Sequence, residues 1–367
     1  MSPPGRPKGE YRSAQHEAPV NTAPDAVDAA ALNAHLREHL PGFDALQSIQ
    51  RLSGGQSNPT YRISTASRRW VIRTKPAPVA RLLPSAHAIE REFRVLHALA
   101  GSAVPVPAVH LLCTDEAVIG RAFYVMDCVE GRVLWDPALP GMTKAQRTAV
   151  YDEMHRVLAE LHCVDFEATG LADFGARGDY FARQVRRWSR QYQDSATTPI
   201  DAMERLIEWL PSHLPVPDDH DVRLVHGDFR LDNLVFHHDE PRVVAVLDWE
   251  LATLGHPLAD LGYYALPWTI PASTGRGIVG KDWAALGIPD VPQLLRTYSD
   301  LTGRRVDVDG AEWRFSIVFN LFRLAAILQG IARRDLDGTA ANANARQTGS
   351  LARTMAELGW SVADGEP

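Results

Sequence analysis

Lysine is the first thing this sequence has little of. Lys and Arg together number 38 in 367 residues, yet only Lys8, Lys75, Lys144 and Lys281 are lysine; the other 34 are arginine. Any role that demands a lysine therefore has few candidates. Cysteine is also scarce. Cys113, Cys128 and Cys163 are too few and too scattered for a disulfide framework or a zinc ribbon, which fits a reducing, cytoplasmic setting. Net positive charge is absent. A formal charge of −7 gives no global electrostatic case for a nucleic-acid partner. Long apolar runs are missing too. The best, Phe315 to Ala332, is interrupted by Asn320, Arg323 and Gln329. Within and beside it, Trp313, Ile317, Leu321, Leu324 and Leu328 fall at helical spacing, so a buried amphipathic helix is expected and no membrane partner. There is no internal repeat.

What is present is ordinary. With 45% hydrophobic and 23% charged residues, collagen-like, coiled-coil and wholly disordered chains are excluded. The length favours two packed units over one core. Residues 1–24 are rich in Pro, Gly, Ser and charge and read as a flexible tail without a signal-peptide core. Asp25 to Leu40 reads as a helix ended by Pro41-Gly42. Leu46 to Ser53, Thr60 to Thr65 and Arg69 to Arg73 read as short strands, Ala86 to Leu99 as a helix, and Val109 to Cys113 and Phe123 to Val129 as strands again. Beyond Gly131 the pattern is mostly helical: Thr143 to His162, Tyr180 to Tyr192, Ile200 to Leu210. One β-rich island, Arg223 to Asp248, interrupts it. The expectation is an α+β fold of two lobes, 25–130 and 131–367, with a cleft between them.

The island carries the chemistry. It reads His226-Gly227-Asp228-Phe229-Arg230-Leu231-Asp232-Asn233, then strand residues from Leu234, a second strand from Val243 to Leu247, and Asp248-Trp249-Glu250. A polar loop between strands, and a carboxylate at the end of the next strand, gather Asp228, Asn233 and Asp248 at one end of a hairpin. Clustered oxygen donors of this kind suit Mg²⁺ carrying a phosphate. Asp228 and Asn233 stand five apart, so one can serve a reacting hydroxyl while the other serves metal.

This island resembles the catalytic loop of the protein-kinase superfamily, where Asp and Asn are likewise five apart. His226-Gly227-Asp228 stands for His-Arg-Asp, and Asp248-Trp249-Glu250 for Asp-Phe-Gly. Both replacements are similar to the aminoglycoside phosphotransferase and choline-kinase-like family, above all its branch related to the kinase domains fused to certain acyl-CoA dehydrogenases. The resemblance implies a protein-kinase-like bilobal fold, with an antiparallel sheet and one helix in the N-lobe and a mainly helical C-lobe. It implies Asp228 as catalytic base or hydroxyl orienter, Asn233 and Asp248 as Mg²⁺ ligands, and ATP, or alternatively GTP, as co-substrate.

The N-terminal unit tests that resemblance. Leu52-Ser53-Gly54-Gly55-Gln56-Ser57-Asn58 lies between two strands and offers backbone amides to phosphates; by itself a Gly-Gly turn is more often a plain hairpin. A phosphate-binding cation is needed on the third strand. Arg73 occupies that place where many relatives carry lysine, and Lys75, on the same strand face, competes. Glu92 is the acidic residue to orient the cation, with Glu90 as its alternative. Met126, Asp127 and Cys128 read as the hinge that would bond the purine. Asp260, in Gly255-His256-Pro257-Leu258-Ala259-Asp260, is either a support for the catalytic loop or an ordinary first-turn carboxylate.

Several other features are weighed and set aside. Gly275 to Asp282 matches G-x-G-x-x-G and nearly a P-loop, but Asp282 stands where Ser or Thr is needed and no buried strand precedes it; a flexible surface loop is expected. His35 and His39 lack further ligands for zinc. Arg183, Arg186, Arg187 and Arg190 form a stripe on one helix: either a solvated face or a platform for an anionic substrate such as coenzyme A phosphates. The expected function is transfer of a γ-phosphate to a hydroxyl of a small molecule, a hydroxyacyl-CoA among the candidates. A protein kinase is disfavoured because no Ala-Pro-Glu follows Asp248. A non-catalytic nucleotide-binding protein and an antibiotic kinase are the alternatives. Oligomeric state is not legible.

Overall fold

Successive side chains of the first unit's strands point to opposite faces of one sheet, as the two-residue period of a strand requires. In β2 (Thr60–Ser64), Tyr61 and Ile63 are buried. The structure, a computed structural model, describes residues 27–52, 58–76, 89–218, 221–338 and 345–365. The expected tail 1–24 and the turn residues Ser53, Gly54 and Gly55 lie outside the described residues.

β1 (Ser48–Arg51), β2, β3 (Arg69–Thr74), β4 (Val109–Cys113) and β5 (Phe123–Asp127) form one sheet in the order β1-β2-β3-β5-β4. Every neighbouring pair is antiparallel. Helix α1 (Ala29–His39) is capped by the Asp28 carboxylate, which accepts from the Ala30 and Ala31 amides. Its Leu32 and Leu36 share one apolar cluster with Trp70, Ile72 and Phe123. Helix α2 (Ile89–Ala98) packs Val95 and Leu96 into a second cluster with Val71 and Tyr124. Trp70 and Ile72 thus face α1. By the strand's two-residue period, Val71 and Arg73 face the other way, toward α2.

The chain leaves this sheet at Asp127, and β6 (Arg132–Val133) already pairs with the second unit. There the long helices are α3 (Lys144–His162), α4 (Tyr180–Ser195) and α5 (Asp201–Ser212). After the β island come α6 (Pro257–Tyr264), the short α7 (Trp283–Leu286), α8 (Val291–Thr302), α9 (Ala311–Leu336), α10 (Ala345–Gly349) and α11 (Ala352–Asp364). α9 is long and apolar enough to cross a membrane, yet 83% of its apolar stretch is buried inside the protein. It is the core helix of this unit, with α4, α6 and α11 packed on it. The island itself is two small sheets. β7 (Arg223–Val225) pairs with β10 (Thr253–Gly255). β8 (Leu234–Phe236) lies between β6 and β9 (Val243–Val246).

The segment Gly275 to Asp282 differs from its expected form. It is a pinned turn rather than a loose surface loop: Ile278 is fully buried and its amide donates to the Pro267 carbonyl at 2.8 Å. Ile278 anchors it to the core because an apolar side chain gains by leaving water.

Candidate active site

Strand pairing brings the oxygen donors together. Leu234 is in register with Val246, and the Leu247 amide donates to the Asn233 carbonyl at 2.8 Å. Asn233 and Asp248 therefore sit at the same end of the β8–β9 pair. The Asn233 amide nitrogen donates to both the backbone oxygen and Oδ2 of Asp228, each at 2.8 Å. With the nitrogen on two acceptors, the side-chain oxygen of Asn233 is left as its remaining acceptor.

His226 ties the two carboxylate-bearing segments. Its Nδ1 accepts from the Asp228 amide at 3.1 Å, so Nε2 bears the proton and donates to the Leu247 carbonyl at 2.9 Å. The indole of Trp249 packs edge-on against the imidazole at 4.7 Å. Gly227 has φ +82°, and a Cβ there would lie 2.8 Å from the Leu251 carbonyl oxygen. Both observations require glycine. Asp248 is also left-handed, at φ 67° and ψ 59°, a conformation that short polar side chains tolerate.

Asp260 holds the loop from below. Its Oδ2 accepts the His226 amide at 2.5 Å and its Oδ1 the Gly227 amide at 2.8 Å. His162 Nε2 lies 3.4 Å away, and its Nδ1 meets the Tyr298 hydroxyl at 2.7 Å. Burial works to raise the Asp260 carboxyl, but the His162 contact and the His226 amide hold it below the usual carboxylate range. The loop-support role is the one the geometry realises.

On the opposite wall, Arg73 Nε lies 2.7 Å from Glu92 Oε2. Its NH2 reaches Asp248 Oδ1 at 2.7 Å and Glu250 Oε2 at 3.4 Å. Burial alone would lower this guanidinium, but Glu92 and then Asp248 raise it above its ordinary value. Glu92 also accepts from Asn58 at 2.8 Å and the Tyr124 hydroxyl at 3.0 Å; burial pushes its carboxyl up against the pull of Arg73. Lys75 instead pairs with Glu90 at 2.5 Å, both half-exposed. The two competing pairs of the sequence are thus distinct, and Arg73–Glu92 is the one in the cleft.

The hinge residues divide. Met126 and Asp127 belong to β5, and the Asp127 amide donates to the Ala108 carbonyl at 2.9 Å. The Asp127 carboxylate pairs with Arg68 and His110, each at 2.7 Å. Cys128 is the first residue beyond the strand. In the arginine stripe, Arg183 donates to the Gly178 and Ala176 carbonyls and Arg187 lies over Trp188 at 5.4 Å, so the stripe is not one free surface.

Three further groups stand beside Asp228. Arg230 reaches Asp228 Oδ2 at 3.4 Å and Asp232 Oδ2 at 3.1 Å. Tyr263, on α6, has its phenol pushed above its ordinary range by burial first and then by the Asp228 charge. Arg323, on α9, donates to the Gly227 carbonyl. Arg230 lies within the quoted loop, but the sequence attached no partner to it.

The donor set fits Mg²⁺. Asp248 supplies a half-exposed carboxylate and Asn233 an amide oxygen. Among the described residues no three His, Cys, Asp or Glu side chains are gathered to enclose an ion. An octahedral ion that takes its remaining ligands from water and phosphate needs no such cage.

An N-terminal antiparallel sheet with one helix in the cleft, a helical second lobe and an Asp–Asn–Asp set between them define a kinase-like phosphotransferase. The chain belongs to the phosphotransferase enzyme family (APH), whose model matches residues 48–285. A crystal structure from Ralstonia eutropha JMP134, provisionally named an aminoglycoside phosphotransferase, is 51% identical, with a TM-score of 0.83 over 93% of this chain and 99% of that one. Acyl-CoA dehydrogenase family member 10 of Mus musculus is 46% identical over 353 residues, which is 94% of this chain and 32% of that protein. The chain thus spans about a third of that curated relative's length. A spectinomycin phosphotransferase crystallised with ADP and spectinomycin shares the fold at 14% identity, with a TM-score of 0.60 over 92% of this chain and 98% of that one.

Proposed function

We propose that this chain is a small-molecule kinase that transfers the γ-phosphate of ATP, or of GTP, to an alcohol. One observation carries the reading: Asp228, Asn233 and Asp248 face a buried Arg73–Glu92 pair across one cleft. Asp228 orients the acceptor hydroxyl and takes its proton, held in place by the Asn233 amide. Arg73 presents positive charge to the phosphates while Glu92 fixes its direction. Mg²⁺, bound through Asp248 and Asn233, would supply neutralisation of the phosphate charge. The work asked of the protein is positioning and electrostatics, which phosphoryl transfer allows.

For the acceptor we propose a hydroxyacyl-CoA. The likeness to an acyl-CoA dehydrogenase family member supports this. Three free thiols suit the reducing cytoplasm in which we place the enzyme. The test is thermal stabilisation by ATP and GTP, with and without Mg²⁺, followed by a phosphate-transfer screen over hydroxylated metabolites and hydroxyacyl-CoAs. Nucleotide should raise the melting temperature in a Mg²⁺-dependent way. A chain that no nucleotide stabilises contradicts the catalytic reading.

A further inference from the structure

Between Phe315 and Ala332, α9 is apolar but for Ser316, Asn320, Arg323 and Gln329, and the last three reach out to other segments. Asn320 donates to the Ala259 carbonyl of α6 at 3.0 Å. Gln329 donates to the Ser195 carbonyl at the end of α4 at 3.1 Å. Arg323 donates to the carbonyl of Gly227, the residue before Asp228. Two of these jobs are done by neutral amides. The third uses a guanidinium that is 4% exposed, and it has no carboxylate partner among the described residues.

A buried charge without a counter-ion is expensive, and a carbonyl alone does not require one. Arg323 is instead held by aromatic faces, 5.5 Å from the Trp188 ring and 5.0 Å from the Tyr263 ring. Such faces partly replace lost hydration of a guanidinium. Gly227 in turn cannot relax, because its left-handed backbone is pressed against Leu251 and its amide is held by Asp260. The Gly227 peptide units are thus gripped on both sides, by Asp260 at the amide and by Arg323 at the carbonyl.

We infer that Arg323 is a positioning residue for phosphoryl transfer: its guanidinium, clamped between Trp188 and Tyr263, fixes the Gly227 carbonyl and so the place where Asp228 meets the acceptor hydroxyl. It acts through Gly227 and contacts no nucleotide-side group named above. The inference rests on the proposed kinase reading.

The test uses the full chain with Mg·ATP and a hydroxyacyl-CoA as the acceptor probe. Arg323→Met should lower kcat by about tenfold or more, because misplacing a reacting group is costly, while KM for Mg·ATP stays within about twofold. Arg323→Lys, which keeps charge and one donor, should fall between the two. If Arg323→Met does not fold, Arg323→Lys against wild type carries the same test. A folded Arg323→Met with kcat within about twofold of wild type overturns the inference. So does a variant whose KM for Mg·ATP rises in proportion to its loss of kcat, since that marks general loosening. A wild type that binds Mg·ATP but transfers phosphate to no hydroxyacyl-CoA overturns the proposed acceptor alone, and the same variants are then compared on the alcohol that the metabolite screen shows the wild type to phosphorylate.

Discussion

Asp260→Asn is a near-isosteric change with a large expected effect. Each carboxylate oxygen takes a different catalytic-loop amide, His226 at 2.5 Å and Gly227 at 2.8 Å. Asparagine has one acceptor oxygen, so it satisfies one amide and turns its NH2 toward the other. The loss is one charge-assisted hydrogen bond, about 1.5–3 kcal/mol, plus a buried N–H without a partner, about 1–3 kcal/mol. Removing a buried charge offsets part of that. The net destabilisation should be about 3 kcal/mol, concentrated on residues 226–228. The assay is amide hydrogen exchange of the peptide covering the loop, alongside urea denaturation followed by tryptophan fluorescence. A loss of about 3 kcal/mol in local opening corresponds to roughly a hundredfold faster exchange at these amides. Exchange within about threefold of wild type, with an unchanged urea midpoint, would refute the assignment of Asp260 as the loop's anchor.

Other outcomes follow from the same geometry. Arg73→Met leaves Glu92 buried without its partner and should destabilise the protein by about 3–5 kcal/mol, whereas the double change with Glu92→Met should recover most of that in urea denaturation. Equal stability of the single and double variants would contradict the pairing. Gly227→Ala should lower stability by at least about 1–2 kcal/mol for the left-handed backbone alone, and further because the new Cβ meets Leu251; a wild-type melting temperature refutes this. Burial pushes His155 and His256 down to about 4. The unfolded chain, titrating near 6.5, then binds protons that the folded chain does not. Stability is therefore full above about pH 6.5 and falls as pH drops toward 4, by up to about 3 kcal/mol for each histidine. A melting temperature flat between pH 7 and pH 4.5 in His155→Phe and wild type alike would count against it.

Local chemistry was the legible part. Asp228, Asn233 and Asp248 fall within one short island, so spacing alone grouped them. Strand alternation placed Arg73 and Lys75 on one face, but could not say which entered the cleft. Depth decides it: Arg73 pairs with Tyr124 across the sheet, while Lys75 lies past the end of β3 and meets Glu90 at the surface. Arg323 was not legible as a functional residue, since 96 positions separate it from Gly227 and a charge in an apolar run reads simply as an interruption. Helix α11 was not assigned either. Gly359 at its middle weakens its propensity, yet it lets the helix pack closely, since a Cβ there would stand 3.2 Å from Leu206 and 3.3 Å from Leu321. Helix α8 did carry readable signals, Asp290 as cap and Pro292 in the first turn.

The central claim is that Asp228 serves the acceptor while the rest of the cleft serves the nucleotide. It is tested most directly by measuring phosphate transfer from Mg·ATP and Mg·ATP binding in parallel for wild type and Asp228→Asn. The account predicts that transfer falls by two orders of magnitude or more, as removal of a positioned base does, while nucleotide affinity is largely kept. Transfer that persists in Asp228→Asn, or transfer and binding lost together, would contradict it.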